Sequence, residues 1–245
     1  MAQRYGIIGY PLGHTFSPGY FNRKFADFGI DALYETFPLA SIAELGALLQ
    51  RHPQLCGLNV TIPYKSAVLP YLDDIAPEAA RVGAVNCISI RNGRLTGYNT
   101  DIIGFRDSLL PLLHPRHNRA LVLGTGGSSL AVIHVLEGLG IACTRVSRHP
   151  VLGESVGYGE LTDYDISRNK LIVNTTPLGM APHVGTLPPL PYDALGSLHL
   201  LYDLVYNPAE TAFLQAGRRH GAAVKNGLEM LHLQAEAGWK IWMDE

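Results

Sequence analysis

Residues 121–136 read LVLGTGGSSLAVIHVL. A short apolar run breaks on Gly124, Gly126 and Gly127 and then resumes as a longer apolar stretch. The short run suits a buried strand and the longer one a helix. A glycine turn between them lets the backbone approach a phosphate closely, and the phosphate charge then meets the helix N-terminus. In a G-x-G-x-x-G pattern the third glycine would stand at Ser129. Serine is small enough for close helix–strand packing, but the match is incomplete. Glycine turns of this kind also serve ordinary strand–helix connections, so the stretch fixes an α/β unit before it fixes a cofactor.

The rest of the chain repeats the alternation. RYGIIGYP reads as a first strand, and PGYFNRKFADFG as a helix closed by Gly29. ALYETFPL is a second strand, SIAELGALLQRH a helix capped by Ser41, and LCGLNVTIP a third strand. A helix is expected near residues 65–72, and a hairpin turn at Asn92-Gly93. DIIGFRDSLLPLL then starts a second unit, in which KLIVNTTPLGM and HLLYDLVYNP are further strand-then-loop pieces. TAFLQAGRRHG and GLEMLHLQAEAGWKIW read as helices. Strands alternating with helices predict mostly parallel sheets with covered faces, and the boundary is expected around Asp101.

Composition removes several classes of function. The 245 residues carry a net charge of −2 and no basic run, which gives nucleic acid or an anionic membrane nothing to bind. No apolar segment reaches membrane-spanning length, and the opening MAQRYGIIGYPLG lacks the features of a signal peptide. A cytoplasmic protein is expected. Cys56, Cys87 and Cys143 are far apart and set among apolar residues, so they read as small buried hydrophobes. The ten histidines form no H-E-x-x-H pattern, and no metal site is expected.

Polar residues gather at loop and strand ends of the first half. In GHTFSP, the hydroxyls of Thr15 and Ser17 suit a small anion; alternatively Ser17 caps a helix whose first residue is Pro18. In GLNVTIPYK, Asn59 and Thr61 share one face of a strand, and Lys65 stands at an expected helix start, where the helix dipole disfavours a cation. Asn86 in GAVNCI sits among small apolar residues and must find hydrogen-bond partners in protein or ligand. Asp101 in GYNTDIIGF falls in the first turn of a helix, where a carboxylate is favoured in any case.

The strand after the glycine turn ends VSRHP. An NAD site needs a carboxylate there for the ribose 2′-hydroxyl. Here Ser147 and Arg148 stand in its place. A guanidinium binds a 2′-phosphate with paired hydrogen bonds, so NADP is favoured over NAD.

The ordered series GHTFSP, GLNVTIPYK, GAVNCI, GYNTDIIGF, GTGGSS, NTTPLGM, YDLVYNPAETAFL and NGLEMLHLQA resembles the shikimate dehydrogenase family, including its shikimate/quinate members, from about residue 5 to residue 240. The resemblance implies two α/β domains. Residues 1–100, completed by 227–245, would form the substrate domain, and 101–226 a Rossmann-like NADP-binding domain, with the C-terminal helix returning to the first domain. It places the active site in the groove between them. It gives Lys65 and Asp101 as the catalytic pair, and Thr15, Ser17 and Thr61 as the carboxylate grip. Asn86, Asp101, Tyr206 and Gln234 are the other substrate contacts it implies. Gly124, Thr125, Gly126, Gly127 and Ser128 would cradle the cofactor phosphates, Ser147 and Arg148 the adenosine end, and the backbones of Leu204 and Gly227 the nicotinamide.

Two departures stand out. Thr15 occupies a usual serine position, and Ser147 and His149 flank Arg148 where the family has Asn-Arg-Thr. The implied reaction is reversible reduction of 3-dehydroshikimate to shikimate by NADPH in the chorismate route to aromatic amino acids. The implied partners are small molecules, and the implied assembly is a monomer or homodimer. The rival readings are a quinate dehydrogenase, a methylene-tetrahydrofolate dehydrogenase of similar architecture and a catalytically silent NADP sensor. The paired hydroxyls of Thr15 and Ser17 argue against the folate enzyme, and intact Lys65 and Asp101 argue against the sensor.

Overall fold

A computed structural model describes residues 3–13 and 15–244. The chain divides into two compact units, residues 1–100 with 235–245, and residues 101–234. The change of unit falls at Asp101, and the return falls inside the last helix at Ala235, later than Gly227.

The first unit contains β1 (Gln3–Gly9), α1 (Phe16–Asp27), β2 (Ala32–Pro38), α2 (Leu45–Arg51), β3 (Leu55–Val60), β4 (Asp74–Ile75), α3 (Pro77–Val82), β5 (Cys87–Arg91) and β6 (Arg94–Tyr98). Its sheet has the order β2-β1-β3-β5-β6-β4. Strands β2, β1 and β3 are parallel, while β5 and β6 form an antiparallel hairpin. Asn92 and Gly93 turn that hairpin with φ of 52° and 76°, the left-handed pair that such a tight turn requires. Tyr5, Ile7 and Ile8 of the central β1 are all buried, as expected for a strand covered on both faces. Tyr5 and Ile7 join a core with Phe21, Phe25 and Tyr34, whereas Ile8 joins one with Leu58, Val60 and Ile88.

The second unit contains α4 (Asp101–Leu109), β7 (Arg119–Leu123), α5 (Gly127–Gly138), β8 (Ala142–Ser147), β9 (Val156–Gly157), α6 (Asp163–Arg168), β10 (Leu171–Asn174), β11 (Leu200–Asp203), α7 (Ala212–Arg219), β12 (Ala223–Lys225) and the first half of α8 (Leu228–Met243). All its strand pairs are parallel, in the order β12-β11-β10-β7-β8-β9. Read from the other side, this is the 3-2-1-4-5-6 order of a dinucleotide-binding sheet, and the winding reverses between β7 and β10. Leu121, Leu123, Val146, Ile172, Leu201 and Phe213 form its core.

The second half of α8 belongs to the first unit, where Ala235, Trp239 and Trp242 complete the Tyr5 core. Trp242 stacks on Tyr5 at 4.8 Å between ring centroids and donates its indole N–H to the Ile88 carbonyl at 3.0 Å. Gly57 makes room for it, since a Cβ there would lie 2.3 Å from Trp242 Nε1. On the same helix Glu236 pairs with Lys24 at 2.5 Å and accepts the Tyr20 hydroxyl of α1.

Three local readings change. Strand β3 stops at Val60, so Thr61 and Ile62 lie past its end. The stretch 65–72 is a series of turns with a 3-10 helix at Leu69–Tyr71, which leaves Lys65 outside any α-helix. Ser41 caps a 3-10 turn at Ile42–Glu44 that leads into α2, with Glu44 returning a hydrogen bond to the Ser41 amide at 2.9 Å.

Candidate functional site

In the first unit, topology brings the polar residues to one sheet edge. Parallel β1 and β3 end together, with Ile8 beside Val60. The antiparallel hairpin begins and ends at that same edge, because Cys87 pairs with both Asn59 and Tyr98. Thr15 and Ser17 follow β1, Thr61 and Lys65 follow β3, Asn86 precedes β5, and Thr100 follows β6. The carboxyl ends of parallel strands are where open α/β sheets bind ligands.

Helix α1 begins at Phe16, and Thr15 is its N-cap residue without a side-chain capping bond. The alternative reading of Ser17 as the cap therefore fails: Ser17 lies inside the first turn, is buried, and bonds the Tyr34 hydroxyl. Tyr34 in turn donates to Asn59 Oδ1 at 2.7 Å, and Asn59 Nδ2 donates to the Asn86 carbonyl at 3.2 Å. Asn59 thus braces the site from beneath, its amide already satisfied by protein. Burial holds the Tyr34 phenol well above its ordinary pKa, so the chain of bonds is neutral.

Thr61 anchors its N–H on the Ile8 carbonyl at 2.9 Å. Its methyl occupies the space that a side chain at Gly9 would need, 2.5 Å from an added Cβ. The carbonyl of Lys65 accepts from the Val85 amide at 2.7 Å, which ties the lysine to the residue before Asn86. Asn86 Oδ1 accepts the Thr100 amide at 2.7 Å, and its Nδ2 donates to Thr100 Oγ1 at 3.0 Å. Asn99 donates to the Ala84 carbonyl at 2.9 Å. The Asn99-Thr100 step that leads into Asp101 is therefore held from both sides. Asp101 itself is buried at the start of α4, where the helix dipole favours a carboxylate.

In the second unit every predicted cofactor position lies at the carboxyl edge of the parallel sheet. Gly124 follows β7 with φ of 110°, and a Cβ there would lie 2.7 Å from Thr175 Oγ1, so both conformation and space demand glycine. Gly126 is the N-cap of α5 without a side-chain cap, and an added Cβ would meet nothing within 4 Å. The turn from Gly124 through Thr125, Gly126 and Gly127 to Ser128 thus offers a helix N-terminus with open space before it, and it fits a dinucleotide pyrophosphate. Ser129 is buried and donates to the Gly126 carbonyl at 2.6 Å, closing the turn where a third glycine would stand.

Ser147 ends β8 with its hydroxyl already engaged, accepting from the His149 amide and donating to the His149 carbonyl, both at 3.1 Å. Arg148 between them is exposed. Leu204 and Gly227 meet directly: a Cβ on Gly227 would lie 2.1 Å from the Leu204 carbonyl oxygen. Burial raises the pKa of Tyr206, two residues beyond Leu204. Gln234 Nε2 donates to the Leu231 carbonyl at 2.9 Å, and its backbone packs where Gly104 of α4 has no side chain.

The sequence reading missed a hub. Asp203 ends β11 with no exposed surface. Its Oδ1 accepts from Asn174 Nδ2 at 2.9 Å and from the Val205 amide at 3.0 Å, and its Oδ2 accepts from Thr211 Oγ1 at 2.5 Å. Burial outweighs these bonds and pushes its carboxyl up to about 6. No cation forms an ion pair with it among the described residues. An aspartate inside the apolar run HLLYDLVY was the available signal. Among the described residues no group of histidine, cysteine and carboxylate side chains is arranged to hold a metal, and no helix is long and apolar enough to cross a membrane.

Comparison with known proteins accords with this layout. The family profile described as shikimate dehydrogenase substrate binding domain matches residues 7–88. The shikimate dehydrogenase (NADP(+)) of Oleidesulfovibrio alaskensis is 41% identical over 98% of this chain and 89% of its own. That of Clostridium beijerinckii is 39% identical over 98% of this chain and 92% of its own. Among solved structures, shikimate 5-dehydrogenase of Thermus thermophilus in complex with NADP(H) and shikimate superposes with a TM-score of 0.87 at 31% identity, covering 99% of this chain and 94% of that one. Likeness of this extent, spanning both sheets and the helix that links them, means that the chain belongs to the shikimate dehydrogenase family.

Proposed function

We propose that this protein is an NADP-dependent shikimate dehydrogenase that interconverts 3-dehydroshikimate and shikimate. The observation that carries the reading is the gathering of hydroxyl, amide and amine groups at one edge of the first sheet, directly before Asp101. Thr15, Ser17 and Thr61 bind the substrate carboxylate, and Tyr206 is a further substrate contact. Asn86, Gln234 and Asp101 take the ring hydroxyls. NADPH, when bound, supplies the hydride that the ketone carbon accepts.

Lys65 supplies the proton that the ketone oxygen needs, so that C=O becomes CH–OH with one hydride and one proton gained. In the reverse direction Lys65 takes that proton back. Asp101 holds the reacting hydroxyl and the lysine in line. The bonds from Asn86 to Thr100 keep that carboxylate in register, so little reorganisation is needed at the moment of reaction.

Gly124, Thr125, Gly126, Gly127 and Ser128 hold the pyrophosphate, Arg148 the 2′-phosphate, and the Leu204–Gly227 contact the nicotinamide. Ser147 acts through the turn it closes around Arg148, since its hydroxyl is already bonded on both sides.

The test is the reduced-nicotinamide absorbance at 340 nm, crossing shikimate and quinate with NADP and NAD. Turnover is expected with shikimate and NADP. Turnover confined to quinate would replace the substrate assignment, with the Thr15 methyl as the first residue to revert to serine. Absence of turnover with every pair would overturn the enzyme reading.

A further inference from the structure

Asp203 is a buried carboxylate with three hydrogen-bond donors and no cation among the described residues. Each donor sits on a different structural piece. Asn174 ends β10 and also accepts from Thr176 in the following loop at 2.6 Å. Val205 follows the Leu204 wall, and Thr211 caps α7. The Asp203 charge therefore lies directly beneath the Leu204–Val205 segment. Two further bonds fix that segment: the Leu204 amide donates to the Asn174 carbonyl at 2.9 Å, and the Gly227 amide donates to the Val205 carbonyl at 3.2 Å.

Geometry alone does not require the charge. An asparagine would keep every bond, its oxygen accepting from Asn174 and Val205 and its amide donating to Thr211 Oγ1. An unpaired buried carboxylate is costly, and the chain keeps one beside the position read as the nicotinamide wall.

We propose that Asp203 is the counter-charge of the oxidised nicotinamide ring, so that the positive charge that no described residue places beside this carboxylate is supplied by bound NADP⁺. The proposal rests on the reading of Leu204 and Gly227 as the nicotinamide wall. Reduced nicotinamide is neutral and gains nothing from the carboxylate, whereas the oxidised ring is cationic and is attracted by it. Asp203 then tunes the balance between the two cofactor forms, and with it the direction in which the bound complex lies.

The experiment measures dissociation constants of NADP⁺ and NADPH by calorimetry and by fluorescence, without substrate, for wild type, Asp203→Asn and Thr211→Val. Asp203→Asn is expected to weaken NADP⁺ by about tenfold relative to NADPH, as befits loss of one charge interaction in a poorly screened site. Thr211→Val removes the hydrogen bond to Asp203 together with the cap on the Leu214 amide and keeps the charge, and its ratio of the two constants is expected within about twofold of wild type. An unchanged ratio in Asp203→Asn, or an equal shift of the ratio in Thr211→Val, overturns the proposal. Should the amide fail to fold, Asp203→Ser carries the same expectation. Wild type that binds neither form would instead overturn the NADP reading itself, so the two failures are distinct.

Discussion

At the carboxyl edge of the first sheet the buried bracing side chains are neutral. Ser17, Tyr34, Asn59, Asn86 and Thr100 pass hydrogen bonds along an unbroken path of hydroxyls and amides. At the matching edge of the second sheet the same task falls to a carboxylate, Asp203, held by one amide side chain, one backbone amide and one hydroxyl. Both networks join strand ends to the loops that follow. They differ in what an ionisable centre adds. The neutral path can only fix positions, and it does so equally at any physiological pH. The charged hub fixes positions and also sets a field, at a cost in stability that varies with pH.

Four changes test this contrast. The largest effect is expected at Lys65, the proposed proton donor, whose carbonyl accepts from the Val85 amide next to Asn86 of the neutral network. Lys65→Ala should lower kcat by about 10²- to 10⁴-fold while shikimate KM moves only a few-fold, the signature of an interaction made in the transition state. Steady-state kinetics with kcat near wild type would move the chemistry elsewhere.

Next is the stability of Asp203→Asn. The folded-state pKa of Asp203 is raised from 3.8 to about 6, so the folded protein holds this proton more tightly than the unfolded chain. The stabilisation is complete below about pH 4 and is lost as pH rises through about 6. A gap of about two pH units, at ~1.4 kcal/mol each, is roughly 3 kcal/mol. Urea unfolding should find Asp203→Asn close to wild type at pH 4 and more stable by up to that amount at pH 7.5. A constant difference across this range would show that the carboxylate carries no burial penalty.

Third is Arg148→Ala. Charged hydrogen bonds to a 2′-phosphate are worth roughly 1.5–3 kcal/mol, so kcat/KM for NADPH should fall about 10- to 100-fold with that for NADH nearly unchanged. Ser147→Ala should act less, through a loosened turn. The ratio of cofactor efficiencies separates a phosphate ligand from a solvated loop arginine.

The smallest change is Tyr34→Phe. It keeps the ring stacked on Phe21 at 4.9 Å and strips the donor from Asn59 Oδ1. A loss of about 1–2 kcal/mol is expected, the same at pH 5.5 and pH 8. A pH-dependent loss would mean that the first network also carries a charge.

How much of this was legible depended on the distance over which each residue finds its partner. The glycine turn, the Asn92-Gly93 hairpin and the Ser41 cap are local devices, and sequence displays them directly. The placement of Asn59 was not legible, because its partners Tyr34 and Asn86 are brought near only by sheet pairing. Thr61 and Ile62 carry β-branched side chains suited to a strand, yet the chain leaves the ladder at Val60 and turns toward Tyr64 and Lys65. Likewise the Ser17-Pro18 pair resembles a helix start, but the helix begins two residues earlier, with Thr15 as N-cap and Phe16 as its first residue. Asp203 was visible as an oddity in an apolar strand, although its donors lie in three separate segments.

The pairing of Trp242 with Gly57 and Tyr5 bears on how the chain is made. A ribosome releases the first hundred residues well before Ala235–Met243 exists, and residues 101–234 emerge in between. Throughout that interval Tyr5, Phe21 and Phe25 lack the indoles that cover them, and the slot above Gly57 stands open. The part of the protein that is synthesised first is therefore the part that is finished last. Its nascent form carries an uncovered aromatic face until the final helix arrives to close it.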